Sequence, residues 1–313
     1  MKGPGLVRFV AALSTLGCVA WLGCATSDDP LQPPPVKTVM TPDELREEVV
    51  RRVPELAPEE VPVLFEVDPA VVEQVRSQIG LAELDIDRVK QVVRLITSER
   101  GLGLRYDRGS LGTAAQSIER GTGNCLSLAA VLVGVSRGLG WRAVFTEMSL
   151  REDELLYEAD LAISEEHMGA KIKAGSATLY IDYSGRMSIR SRVRSVSDLR
   201  ATAQFYSNNA YELLHLAHVA GEPIPWSEVG RRFEIATRID PEFAQAWNNL
   251  GVARSRLGDV EGAERAYERA IALGGHMDSA ERNLRLLRGL PPEPEDAGRP
   301  GVPAGWAPVL PEP

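Results

Sequence analysis

The sequence has few basic residues, few cysteines and few long apolar runs, and each shortage excludes a class of protein. Its 313 residues contain 35 Lys and Arg against 44 Asp and Glu, a net charge of -9. The chain therefore has no overall positive field to hold a nucleic acid backbone. Three cysteines are too few for the disulfide framework of a small secreted domain. A hydrophobic fraction of 44% is typical of a globular protein and excludes a fully disordered one.

One apolar run stands out, and it lies at the N-terminus. Two positive charges precede residues 9–22, which carry no charge. This run is too short for a membrane-spanning helix of about 20 residues, but it suits the apolar part of a signal peptide. It ends in Leu22-Gly23-Cys24, and a polar segment follows. The ending resembles the lipobox of bacterial lipoproteins, which implies cleavage before Cys24 and lipidation of its sulfur. An ordinary secretory peptide is the alternative.

The lipoprotein interpretation predicts where the protein resides. Cleavage would remove Cys18 and lipidation would consume Cys24, which leaves Cys125 as the single free thiol in an oxidising compartment. Ala25 rather than Asp follows the lipid-bearing cysteine, and the sorting rule known for some Gram-negative bacteria then favours the outer membrane. We therefore expect a lipid anchor in the bacterial cell envelope, with the protein facing the periplasm.

The rest of the chain divides into a helical, a strand-rich and a second helical part. Thr41-Pro42 and Asp68-Pro69 are helix starts in which a capping residue precedes proline, and Asp85 begins a third helix. Residues 141–148, 167–173 and 177–183 are strand candidates, the last two forming a hairpin, and an Arg-rich loop follows. This order predicts an α+β fold with an all-α C-terminal segment. The expected divisions are a signal peptide at 1–23, a lipidated Cys and Pro-rich linker at 24–41, an α+β domain with a helical preface at 42–205, helical repeats with a capping helix at 206–290, and a disordered Pro-rich tail at 291–313.

The segment after residue 206 contains an internal repeat. From Trp247 the chain reads W-N-N-L-G, and Ala263, Tyr267 and Ala270 follow at offsets of 16, 20 and 23. These are the large and small positions through which the two helices of a tetratricopeptide repeat pack. The segment resembles that family over one good and one degenerate repeat, and the resemblance implies protein partners.

The densest chemical signal is Gly-Thr-Gly-Asn-Cys at 121–125, which precedes a stretch predicted to be an apolar helix. Cys125 would lie in the first turn of that helix, where free N–H groups and the helix dipole stabilise negative charge. Such a position is expected to lower the pKa of the thiol, and the same N–H groups can receive an oxyanion. A core cysteine that only fills space is the other interpretation.

A nucleophilic cysteine needs a base, and the chain has only four histidines. His167 alone falls on a predicted strand of the same domain, and Asp182 lies fifteen residues later on the adjoining strand. Because neighbouring strands lie ~4.8 Å apart, the hairpin can bring these two side chains together. Asp182 would then orient the imidazole while its other nitrogen faces Cys125. Taken singly, each is also an ordinary strand-end residue.

Together, Gly123-Asn124-Cys125, Gly138-Leu139-Gly140, His167 and Asp182 resemble the bacterial transglutaminase-like (papain-like) superfamily, closest to members whose core precedes tetratricopeptide repeats. The resemblance covers about residues 85–185. It implies a helix-plus-antiparallel-sheet core with a Cys–His–Asp triad. It also implies peptidase, amidase or acyl-transferase activity, which some members have lost.

We therefore expect a membrane-anchored cysteine hydrolase or acyl-transferase that acts on a peptide or carboxamide bond through a thioester, with repeats that bind protein. The alternative is a non-catalytic envelope module with an inactive core. Gly169 departs from the family, since many members carry an aromatic residue there that walls the site. Gln116 and Tyr106 are candidates for the second oxyanion donor, and either is also a candidate surface residue. No cofactor or metal is expected, because His215 and His218 lack further ligands.

Overall fold

The computed structural model describes residues 8–11, 38–80, 84–149, 156–158, 161–163, 167–185, 187, 192–274 and 278–290. Cys24, most of the predicted signal peptide, the linker up to residue 37 and the C-terminal tail lie outside the described residues.

The chain enters the fold through three helices, α1 (Pro42–Arg52), α2 (Pro69–Gln78) and α3 (Asp85–Thr97). Thr41 and Glu44 form a capping box at the start of α1, and Asp68 caps α2 by accepting from the Ala70 N–H at 2.7 Å. A short 3-10 helix at Pro58–Glu60 connects α1 to α2. The Thr-Pro and Asp-Pro helix starts read from the sequence are confirmed.

The Gly-rich segment that follows has more regular structure than its composition predicts. It contains β2 (Arg105–Tyr106), α4 (Ala114–Arg120) and β3 (Thr122–Gly123). The two short strands pair in parallel, so β3 lies beside β2 just before α5 (Cys125–Gly138) begins. The helix α5 is buried over most of its length.

A five-stranded sheet, in which each neighbouring pair is antiparallel, packs against α5. Its order is β1-β8-β7-β4-β9, so the hairpin β7–β8 lies in the middle, as the sequence predicts. The strand β9 lies in a segment for which the sequence predicts a loop. A small separate hairpin joins β5 to β6. The strands are β1 (Arg8–Ala11), β4 (Arg142–Ser149), β5 (Leu156–Glu158), β6 (Leu161–Ile163), β7 (His167–Ala174), β8 (Ala177–Asp182) and β9 (Arg192–Val196).

One face of this sheet forms the main core with α5 and α3. Phe145, Met168, Ala170, Leu179 and Ile181 are almost completely buried and belong to the same apolar cluster as the side chains of those helices. Successive residues of a strand point to opposite faces, so the residues between them on each strand form the other face. The alternation therefore decides which polar groups lie near α5.

The C-terminal part consists of helices that pack in chain order. Tyr267 of α9 lies flat against α8, where a Cβ on Gly251 would come within 2.6 Å of the tyrosine ring. Ala263, Tyr267 and Ala270 are all buried in this second core, as the repeat spacing predicts. The helices are α6 (Asp198–Ala220), α7 (Trp226–Ile239), α8 (Ala244–Arg256), α9 (Val260–Leu273) and α10 (Asp278–Leu287).

Helix α6 joins the two parts without a linker. Its first half packs in the main core and its second half in the repeat core, so the predicted boundary between 205 and 206 falls inside a continuous helix. Asp198 at its start forms a bidentate ion pair with Arg137 of α5 at 2.8 and 3.0 Å. Within the described ranges, no helix is long and apolar enough to cross a membrane.

Candidate active site

The predicted nucleophile, Cys125, is the first residue of α5, and Asn124 caps that helix. The Asn124 Oδ1 accepts hydrogen bonds from the Ser127 N–H and the Ser127 hydroxyl, both at 3.0 Å. The Asn124 N–H donates in turn to Ser110 O at 2.8 Å. One of the free donors of the helix end is thereby satisfied, and the backbone at Cys125 is fixed from both sides.

The two glycines before Cys125 are needed for different structural reasons. Gly121 ends α4 in the left-handed region at φ +70°, which glycine adopts without steric cost. Gly123 packs so closely against α5 that a Cβ would lie 2.9 Å from Ser127 Cβ and 3.2 Å from Leu128 Cδ2. The glycine pattern thus brings the loop against the helix start and so positions the cysteine.

The sulfur of Cys125 lies where the pairing between β7 and β8 stops. That ladder ends at the pair Ala170–Ile181, while β7 continues to His167 paired only with β4. On this stretch the Met168 N–H interacts with the Cys125 sulfur, as do the N–H groups of Leu126 and Cys125 itself. Backbone N–H groups of the helix start and of β7 therefore lie near the sulfur.

The other two predicted site residues lie at the ends of these two strands. His167 is the first residue of β7, next to Met168, and Asp182 is the last residue of β8. Continuing the observed register by one residue places Gly169 opposite Asp182, so His167 and Asp182 share a face of the sheet as diagonal neighbours. Both are buried, with 8% and 0% of their surfaces exposed.

The carboxylate of Asp182 is held by the chain that leaves β8. Its Oδ1 accepts from the Ser184 N–H at 2.8 Å and from the Ser184 hydroxyl at 2.6 Å, and its Oδ2 accepts from the Met187 N–H at 2.8 Å. These three hydrogen bonds fix the orientation of the carboxylate. The buried Asp182 is close enough for its charge to act on the Cys125 thiol.

The pKa of Cys125 differs from the sequence-based expectation. The residue keeps part of its surface accessible to solvent, but the protein packed around its sulfur raises the pKa of the thiol by desolvation. The N–H group of Met168 lowers this pKa and the charge of Asp182 raises it further. The prediction that the helix end lowers the pKa of Cys125 is therefore wrong, because desolvation outweighs the backbone donors.

Gly169 has no space for the aromatic residue found there in many transglutaminase-like proteins. A Cβ at this position would lie 2.5 Å from Ile181 O and 2.8 Å from Met148 Cε. Because one of these atoms belongs to the backbone, a larger residue would require the two strands to move apart. The departure seen in the sequence thus has a packing reason.

Sequence reasoning did not find the donors that surround the sulfur. The Oε1 of Gln116, one expected oxyanion donor, accepts from the Thr113 N–H at 2.9 Å and caps α4, and Tyr106 is 40% exposed. The donors observed at the sulfur belong to the backbone, so no side-chain identity could have revealed them.

Among known proteins, the chain is similar to tetratricopeptide repeat proteins and to a co-chaperone. The chain is 40% identical over 88 residues to tetratricopeptide repeat protein 36 of Bos taurus, which is 28% of this chain and 46% of that protein. It is 36% identical over 97 residues to the Homo sapiens protein of the same name, 31% of this chain and 50% of that protein. The heat-shock protein cognate (HSC) co-chaperone sgt12 of Aspergillus fumigatus is 39% identical over 57 residues, 18% of this chain and 17% of the co-chaperone.

The chain thus spans half or less of the length of these curated relatives. The tetratricopeptide-like helical content predicted from the sequence is confirmed, as is a mixed helix and antiparallel-sheet fold. No protein-family model and no solved structure matches the chain. In the described part of the chain, no group of three or more His, Cys, Asp and Glu side chains is placed to hold a metal ion.

Proposed function

We propose that the protein is a transglutaminase-like cysteine hydrolase or acyl-transferase that acts on a peptide or carboxamide bond through Cys125. One observation carries the proposal: a partly accessible cysteine at a helix end lies next to Met168 near the start of β7, where His167 is the first residue, and within reach of the charge of Asp182. These are the three residue types of a Cys–His–Asp triad.

The proposed reaction proceeds through a thioester. His167 takes the proton of the Cys125 thiol as the sulfur attacks the carbonyl carbon, and a C–S bond forms. The negative oxygen that develops is received by backbone N–H groups at the start of α5. The C–N bond then breaks, and His167 gives its proton to the departing amine. In hydrolysis, water attacks the thioester, the C–S bond breaks and an acid is released. In transfer, an amine attacks instead and a new amide is released. In both cases Cys125 recovers its thiol.

The raised pKa of Cys125 decides how this site would work. A thiol with a raised pKa is protonated at neutral pH, so the resting site does not hold a preformed thiolate. His167 must then remove the proton during the attack, as the base does in a serine hydrolase. The proposal therefore depends on His167 more strongly than it would for an ion-paired cysteine.

Acylation by p-nitrophenyl acetate tests this dependence. We expect the full-length protein to gain one acetyl group on Cys125, located by peptide mass mapping, and the Cys125→Ala variant to gain none at that site. His167→Gln should slow acylation by about a hundredfold or more, the usual contribution of a positioned base. His215→Gln, a change of the same kind on α6, should leave the rate unchanged.

The opposite result would support the alternative function. If His167→Gln acylates at the wild-type rate with the same pH dependence, Cys125 is an ordinary thiol and the chain is a non-catalytic interaction module. The raised pKa of Cys125 favours that alternative, since an inert core cysteine has the same property. Acylation at Cys125 and its loss in His167→Gln separate the two functions.

A second proposal concerns location. The apolar run that ends in Leu22-Gly23-Cys24 supports a lipid anchor on Cys24 in the bacterial outer membrane, facing the periplasm. Cleavage there would remove β1 and leave β8 as the edge of the sheet. Cys24→Ala should abolish lipid labelling and move the protein from the membrane pellet to the soluble fraction. The matched variant Cys18→Ala should stay in the pellet, and the reverse pattern would assign the anchor to Cys18.

A third proposal concerns partners. The similarity to tetratricopeptide repeat proteins and to a co-chaperone supports binding of another protein by the helices α6–α10. Leu216 and Val219, three residues apart on one face of α6, are 58% and 70% exposed and offer an apolar contact to such a partner. Cross-linking at these positions in the native envelope should yield a protein adduct, and labelling by lipid alone would contradict the proposal.

A further inference from the structure

A large cleft lies between the helical preface and α6, apart from the residues around Cys125. Its volume is about 1010 Å³, at the upper end of the range for binding pockets. The chain from Glu59 to Pro69 forms one wall, and the first turn of α4 with Phe205 and Tyr206 of α6 forms the other. A smaller cleft of about 310 Å³ continues it, since both are lined by Gln116 and Phe205.

The wall of this cleft is negatively charged. It contains Glu59, Glu60, Glu66 and Asp68, against the single cation Arg46. Arg46 is already occupied, because it pairs with Glu66 and with Asp43, the latter at 3.1 Å. Among the described residues, no Lys or Arg forms an ion pair with the other three carboxylates. A cationic ligand would therefore meet carboxylates that are not paired with a Lys or Arg side chain.

The opposite wall contains a tyrosine hydroxyl that is available to a ligand. Tyr206 lines the cleft with 9% of its surface exposed, and no described residue hydrogen-bonds to its Oη. Burial and then the charge of Glu60 raise its pKa to about 12, so the phenol stays neutral and can donate at physiological pH. A hydroxyl that lines a cleft in this way can donate a hydrogen bond to a ligand there.

The aromatic pair adds a surface that suits long cationic side chains. The Phe205 and Tyr206 rings meet edge to face, with centroids 6.2 Å apart. Lys and Arg side chains pack their methylene groups on aromatic rings and place their charge over the ring face or beyond it. Carboxylates along one wall and rings along the other fit an extended chain that carries several such side chains.

We propose that this cleft binds an extended polypeptide segment rich in lysine or arginine, with its cationic side chains on Glu59, Glu60 and Asp68 and a backbone carbonyl accepting from Tyr206. The proposal is independent of the chemistry assigned to Cys125, because none of the three predicted site residues lines the cleft. It provides a second surface for a protein partner, in addition to the exposed repeat helices.

Fluorescence anisotropy with the full-length protein tests the proposal. The probe is a fluorescein-labelled octapeptide of alternating lysine and alanine, since alternation places every lysine of an extended chain on one side. An octapeptide of alternating glutamate and alanine is the matched control and should not bind. We expect the double variant Glu59→Gln/Glu60→Gln to weaken lysine-peptide binding by about fivefold, and Tyr206→Phe to do so by about fivefold through its lost hydrogen bond.

Two further variants separate the cleft from the general acidity of the chain. Glu99→Gln/Glu242→Gln removes the same charge at exposed positions outside the cleft, and it should change the affinity by less than about twofold. Tyr206→Phe keeps the ring, so an unchanged circular dichroism melt is expected. The proposal is overturned if the two double variants weaken binding equally, which is non-specific attraction, or if Tyr206→Phe binds as tightly as the wild type. Equal binding of the glutamate peptide would also overturn it.

Discussion

The α+β core and the repeat helices are stabilised by contacts of different range. In the repeat part, each helix packs mainly on the next one along the chain, as Tyr267 packs on Gly251 of the preceding helix. In the core, α5 contacts β7, although β4, β5 and β6 lie between them along the chain. Local packing of neighbouring helices leaves a regular spacing pattern in the sequence, whereas contacts between distant elements do not. Comparisons with known proteins find repeat proteins, and no family model matches the chain.

The junction between the two parts combines both kinds of contact. Glu147 of β4 is buried and forms ion pairs with Arg194 and Arg200. Arg200, on the first turns of α6, also reaches Asp240 at 3.2 Å, before α8, and its guanidinium lies 3.6 Å from the centre of the Phe243 ring. Two arginines from the segment after the hairpin are therefore structural residues that join the sheet to the repeats.

The largest expected effect follows from breaking this junction. Glu147→Gln removes one of the two anionic partners of the buried Arg200 and leaves only Asp240, which we expect to lower the free energy of unfolding by about 3 kcal/mol. Chemical denaturation with hydrogen exchange measures it, and protection should fall in both β4 and α6. Glu268→Gln, which breaks an exposed ion pair with Arg288, should cost well under about 1 kcal/mol. A loss confined to one part would show that the two parts unfold independently.

A smaller effect is expected inside the repeats. Gly251→Ala places a Cβ 2.6 Å from the Tyr267 ring, and overpacking of this kind costs about 1–3 kcal/mol. Gly230→Ala is the matched helical control, because its Cβ meets Ala253 Cβ at 3.3 Å and Leu257 Cδ1 at 4.0 Å and alanine favours helix. Hydrogen exchange should show reduced protection in α8 and α9 for Gly251→Ala and none for the control. Equal effects of the two variants would contradict tight packing at Gly251.

The core site should respond to the loss of one charge. Asp182→Asn places an amide NH2 against the Ser184 or Met187 N–H, both of which now donate to a carboxylate. We expect it to lower the free energy of unfolding by about 1–3 kcal/mol, measured by urea denaturation. The mutation is therefore not neutral for stability, although asparagine is nearly isosteric. Asp107→Asn, at an exposed position, is the control and should leave the unfolding curve unchanged.

The smallest expected effect is a shift in the reactivity of Cys125. Because burial raises the pKa of its thiol, alkylation by iodoacetamide should have its midpoint above the ~8.5 of an ordinary cysteine. The folded-state pKa exceeds the unfolded one, so this group stabilises the fold below the unfolded pKa, and the stabilisation is lost as pH rises through the folded pKa. Asp182→Asn should lower the midpoint, since the charge of Asp182 raises it. A midpoint below that of a free thiol would contradict the desolvated site.

Several elements of the fold could be predicted from local chemistry. Thr41-Pro42 and Asp68-Pro69 start helices because capping and proline geometry act within one turn. The hairpin β7–β8 turns at Gly175, which has φ +56°, and its alternation follows from two adjacent strands. The spacing of Ala263, Tyr267 and Ala270 reports packing between neighbouring helices. In each case the residues that interact are close in sequence.

The sequence by itself thus determined the helix starts, the hairpin and the repeat spacing, and it predicts Cys125, His167 and Asp182 as site residues. Only the tertiary structure decided that desolvation raises the pKa of Cys125, that backbone N–H groups surround its sulfur, and that β9 completes the sheet. It also created the cleft between the helical preface and α6. The physical reason is that desolvation, donor geometry and cavities depend on which distant segments meet, and no local pattern records those meetings.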